Sequence, residues 1–139
     1  TVTAATELAR GRHARFIDPD DLLLALLADE HSYAGTVLTR LGAPLASLRQ
    51  LVQEGLSGDG AAGTHLTFSE GSREVLDNAY REAVALKYGQ IGTEHLLLGL
   101  LGVHGGRPAR CLREVGVTYD SVLEVVRQLY ADETEQPAI

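Results

Sequence analysis

The stretch Ile91-Gly92-Thr93-Glu94-His95-Leu96-Leu97-Leu98-Gly99-Leu100-Leu101 decides how this chain is read. Gly92-Thr93 can open a helix, Glu94 is a favourable acid for its first turn, and the leucines that follow cover most of its circumference. A short helix that is apolar nearly all round has to be enclosed by other helices. The stretch occurs once more: a gap-free shift of 74 positions pairs Ile17 with Ile91, Leu22 with Leu96, Leu23 with Leu97, Leu24 with Leu98, Leu26 with Leu100 and Leu27 with Leu101. The match runs on through Leu38 and Leu112, Gly42 and Gly116, Ser47 and Ser121, Val52 and Val126, and Ala5 and Ala9 meet Ala79 and Ala83. A two-copy repeat of this length predicts two helical units about a pseudo-twofold axis, because solenoid units are usually shorter and more numerous.

Outward from the two leucine runs, each copy reads as four helices. In the second, Ser69 can cap a helix to about Tyr88 with Val75, Leu76, Ala79, Ala83 and Leu86 on one face. His95 to Leu101 is next, Pro108 suits the first turn of a third helix ending near Val115-Gly116, and Thr118 can cap a fourth carrying Val122, Val125, Val126 and Leu129. In the first copy Val2, Ala5 and Ala9 mark a shorter opening helix, Asp18 and Pro19 start a second through Ala28, a third ends at Leu41-Gly42, and Pro44 starts a fourth ending near Glu54. The predicted fold is therefore all-α, a duplicated four-helix repeat of eight helices with almost no strand. Its parts are residues 1–55, a glycine-rich linker 56–68 whose joint spans Gly55 to Gly63, residues 69–130, and an acidic, disordered tail 131–139.

Composition agrees. At 45% hydrophobic and 22% charged the 139 residues can bury one core, and with no Trp or Met that core is built of Leu, Val, Ile and Ala. A net charge of −7 with no basic cluster argues against nucleic acid. No apolar run approaches the roughly 20 residues of a membrane span, a lone Cys cannot form an internal disulfide, and the expectation is a cytoplasmic protein without a membrane partner.

Residues 91–101 closely resemble the signature of the Clp N-terminal domain, the duplicated four-helix module at the head of Clp-family AAA+ unfoldases, and the likeness is nearest to the ClpC type. It extends over nearly the whole chain. The resemblance implies a non-catalytic domain that receives protein substrates and adaptors for a Clp ATPase and, in ClpC-type members, recognises phosphorylated arginine and certain cyclic peptide antibiotics. No GxxxxGK[ST] sequence is present, so the stretch reads as an N-domain either excised or free-standing. The first copy has Asp18-Pro19-Asp20-Asp21 where the family pattern would have Gly-Thr-Glu-His, so it departs from the pattern at the position of the ligand site.

The candidate ligand site is Gly92, Thr93, Glu94 and His95, with Asp18, Pro19 and Asp20 a weaker candidate in the first copy. Backbone N–H groups and the Thr93 hydroxyl suit a phosphoryl anion, and the Glu94 carboxylate suits a guanidinium. The competing reading makes Thr93 a plain cap and Glu94 a plain first-turn acid. Asp20 is one methylene shorter than Glu94, and Pro19 offers neither N–H nor hydroxyl. His95 reads as packing or capping at its helix start. His13, His31, His65, His95 and His104 share no metal-ligand spacing, so neither metal nor cofactor is expected. Cys111 aligns with Val37 and reads as a small apolar residue, Gly102 to Gly106 as a turn edging a binding surface, and Arg107 and Arg110 as solvated charge. No nucleophile elbow or paired-carboxylate spacing supports an enzyme. The expectation is a recognition module for substrates or adaptors, with a stand-alone decoy for Clp-targeting cyclic peptides as the alternative.

Overall fold

The computed structural model describes residues 2–11, 16–29, 31–54, 67–87 and 91–135. The first copy contributes α1 (Val2–Gly11), β1 (Phe16–Ile17), α2 (Pro19–Ala28), α3 (Tyr33–Arg40) and α4 (Leu45–Glu54). The second contributes β2 (Thr67–Phe68), α5 (Glu70–Ala85), α6 (Thr93–Gly102), α7 (Arg107–Glu114) and α8 (Tyr119–Glu135). The fold is all-α.

Local chemistry sets the boundaries. Asp18 is extended ahead of α2 and Pro19 opens it, while Ser69 caps α5 by accepting from the Ser72 N–H at 3.2 Å. Gly42 and Gly116, at φ +73° and +84°, supply the left-handed residue just past α3 and α7. The two copies differ from the sequence expectation in three places. Helix α5 stops at Ala85 rather than near Tyr88, because Lys87 takes a left-handed φ of 58°; Tyr88 itself lies outside the described residues. Helix α8 runs on to Glu135, past the expected end at residue 130, since a helix already packed through Leu129 extends at little cost and the first breaker in the sequence is Pro137. Residues 136–139 and the Gly55 to Gly63 joint lie outside the described residues. The end of the expected linker is instead β2, which pairs in parallel with β1 (Phe16 with Thr67, Ile17 with Phe68). Ser72, wholly buried, closes this junction by donating from Oγ to the Ile17 carbonyl at 2.6 Å.

The packing shows the duplication directly. Helices α2 and α6 meet at the centre; α1 lies on α2 as α5 lies on α6. The third helices cross over: α3 packs on α6 and α8 of the second copy, and α7 packs on α2 and α4 of the first. Every residue from Asp20 to Leu27 and from Glu94 to Leu101 is buried in consequence, including Leu23 and Leu97 at zero exposure. Cys111 and Val37, equivalent in the repeat, are both buried. Burial raises the Cys111 thiol pKa, which suppresses the thiolate.

Candidate ligand site at the start of α6

The first turn of α6 leaves the N–H groups of Thr93 and Glu94 without intrahelical acceptors. The N–H of Gly92, one residue earlier, is satisfied by the side chain of His95, whose Nδ1 accepts at 2.7 Å. In the first copy Asp21 does the same for Asp18, accepting through Oδ2 at 2.9 Å. His95 therefore caps its own helix. Because Nδ1 is an acceptor, the ring proton sits on Nε2 and points to the Tyr130 hydroxyl at 2.9 Å, and that hydroxyl donates to Glu94 Oε2 at 2.9 Å. This relay needs a neutral imidazole. Burial lowers the His95 pKa from 6.5, outweighing the opposing pull of the Glu94 and Glu82 carboxylates.

Glu94 is only 1% exposed. One oxygen is held by Tyr130; the other, Oε1, is buried without a hydrogen-bond partner and lies beneath the open face of Gly92, where an added Cβ would come within 1.9 Å of it. Thr93 is half-buried and faces α3, accepting the Ala34 N–H on Oγ1 at 3.0 Å while its own proton remains available to donate. All four predicted residues thus meet at one helix start, but the carboxylate is turned into the fold rather than toward solvent. Tyr130 and Tyr33, whose rings meet edge-on at 6.2 Å, complete the site. Repeat spacing could not find Tyr130, because its equivalent, Leu56, falls in the expected linker.

The first copy has diverged at the same place. Asp20 is 8% exposed and accepts from Arg107 Nη1, so Arg107, read from sequence as solvated charge, is instead half-buried and paired. Burial nevertheless holds the Asp20 pKa above 3.8, against the lowering effect of Arg107. Pro19 stands where Thr93 stands, and Pro108 where Ala34 does, so the residue types that make the Thr93 to Ala34 hydrogen bond are absent from both equivalent positions. Among the described residues no group of His, Cys, Asp and Glu could hold a metal, and no helix is long and apolar enough to cross a membrane. His13 and His65 lie outside the described residues.

The family model for the Clp repeat N-terminal domain matches residues 1–60 and 67–138. The chain belongs to this family. Among curated relatives, Clp N-domain likeness is seen with the chloroplastic chaperone protein ClpC1 of Oryza sativa subsp. japonica, 30% identical over 96% of this chain. The ATP-dependent Clp protease ATP-binding subunit ClpA homolog of Guillardia theta is 31% identical over 99% of it. The chain spans only 15% and 17% of those relatives. Among solved structures, the N-domain of ClpV from Vibrio cholerae superposes with a TM-score of 0.79 at 19% identity, over 94% of this chain and 80% of that one. A complex of the ClpV N-domain with a VipB peptide gives a TM-score of 0.74 at 19% identity, over 87% and 76%. At such identities the likeness concerns the fold.

Proposed function

We propose that this Clp N-domain is a non-catalytic recognition module that docks protein substrates or adaptors of a Clp ATPase, and that the start of α6 receives phosphorylated arginine within them. The observation that carries the finer reading is Glu94 Oε1, a buried carboxylate oxygen without a hydrogen-bond partner, at a helix start, where the first N–H groups have no intrahelical acceptor and suit an anion. A phospho-arginine supplies both complements: a phosphoryl group for the Thr93 and Glu94 N–H groups and the Thr93 hydroxyl, and guanidinium donors for Oε1. Its entry requires the Glu94 side chain to swing outward, which lengthens or breaks the Tyr130 contact. Support for protein docking comes from the ClpV N-domain, a structural relative that takes a peptide.

Calorimetric titration of free phospho-arginine tests this reading. One site per chain is expected, and Glu94→Gln, which keeps the shape and removes the charge, should weaken it roughly ten- to hundredfold, the cost of about 1.5–3 kcal/mol for losing a charge-assisted bond. Equal binding by the variant, or no heat at millimolar ligand, contradicts it.

A further inference from the structure

Arg107 sits in a set of acceptors that suits a guanidinium and little else. Its Nη1 donates to Asp20 Oδ2 and, at 2.9 Å, to the Val52 carbonyl; its Nη2 donates to the Leu51 carbonyl at 2.7 Å. Leu51 and Val52 lie in the last turn of α4, where carbonyls have no intrahelical donor, so a carboxylate and two helix-end carbonyls converge on one planar fork. The second copy cannot build this set. The positions equivalent to Leu51 and Val52 are Val125 and Val126, inside α8, where the helix uses their carbonyls itself, and the position equivalent to Arg107 is Tyr33. A surface cavity of about 390 Å³, lined by Leu51, Glu54, Arg107, Arg110, Cys111 and Glu114, opens onto the Arg107 side of this set.

We infer that the start of α2 is a guanidinium site whose resident ligand is the chain's own Arg107, so that an arginine-type group from a partner reaches it only by displacing that side chain. The site goes beyond the proposed function and stands whether or not α6 binds phospho-arginine. It makes the two copies unequal by occupancy as well as by sequence: the second has a buried carboxylate oxygen without a hydrogen-bond partner, and the first has its carboxylate already engaged. A partner arginine arriving through the cavity would release α7 from the ends of α2 and α4, which couples occupancy of the first copy to the contact between the copies.

Chemical rescue tests this. Arg107→Ala should lower the thermal midpoint by about 5 °C, as expected when a partly buried carboxylate loses its partner. Millimolar ethylguanidinium should restore most of that shift, ethylammonium should not, and neither should raise the midpoint of the wild type or of Arg107→Ala combined with Asp20→Asn. Equal rescue by the two cations, equal response of the wild type, or no rescue would overturn the inference. A second measurement does not depend on the variant folding. In the intact chain labelled with ¹⁵N-arginine, Arg107 should show separate Nη resonances from hindered rotation, and these should collapse in Asp20→Asn. An Arg107 signal averaged like that of exposed Arg110 in the wild type would refute the resident-ligand reading.

Discussion

At the residue scale the polar relay Gly92, His95, Tyr130, Glu94 has a direction, and the direction gives a pH dependence. His95 is neutral in it because Nδ1 must accept and Nε2 must donate. With its folded pKa below 6.5, the unfolded chain binds the proton more readily than the folded one. The stabilising contribution is therefore complete above pH 6.5 and is lost as pH falls from there toward the folded pKa. Asp20 has the opposite sign: its pKa is raised above 3.8, so its ionisation costs stability as pH rises past that value, in a more acidic range. Urea midpoints measured through the mildly acidic range should fall with pH for the wild type and flatten for His95→Gln, which keeps an acceptor at the cap but does not titrate. A flat wild-type profile would remove His95 from the relay. Tyr119 is a second relayed phenol: burial, and then donation to Glu82, push its pKa up to about 12.

At the scale of the elements, helix two of each copy was the most legible part of the chain and the strand pair the least. The leucine runs read as enclosed helices because no exposed helix can be apolar all round, and Pro19, Ser69, Gly42 and Gly116 punctuate the pattern with residues whose backbone preferences leave few alternatives. The pair β1 and β2 was invisible since two residues carry no periodicity and the partners are 51 apart (67 − 16 = 51). The polar residues at the two helix starts were legible as positions and not as networks. Glu94 and Asp20 could be aligned, but their partners Tyr130 and Arg107 come from helices brought in by tertiary packing. Gly99 shows the same limit. It reads as an interruption of a leucine run, yet a Cβ there would lie 2.6 Å from the Val75 carbonyl and 3.1 Å from the Ala79 nitrogen, so it sets how closely α5 approaches α6. Those are backbone atoms that cannot rotate aside. Gly99→Ala should cost about 1–2 kcal/mol, a packing penalty of about 1–3 kcal/mol partly offset by up to about 1 kcal/mol of helix propensity. Gly105→Ala, with nothing near its Cβ position, should change the urea midpoint little. Equal effects of the two would show that α5 and α6 can separate without cost.

On the scale of the whole molecule the crossed third helices decide what the duplication means. Because α3 packs on α6 and α8 and α7 packs on α2 and α4, one hydrophobic core runs through both copies, and the start of α6 is tied to α3 by Thr93 meeting Ala34 and Tyr130 meeting Tyr33. The start of α6 thus lies at the junction between the copies, with the second supplying a buried carboxylate oxygen that lacks a hydrogen-bond partner and the first supplying the helix that covers it. The duplication has two equivalent helix starts; Arg107 engages the carboxylate at one, and Glu94 Oε1 stays buried without a hydrogen-bond partner at the other. The measurement that tests this asymmetry most directly is amide shift mapping of the ¹⁵N-labelled chain during titration with phospho-arginine. The largest changes should fall on Gly92, Thr93, Glu94 and His95 and on Ala34 across the junction, with Asp20 and Asp21 nearly still. Comparable shifts at both helix starts, or shifts that spare residues 92–95, would contradict it.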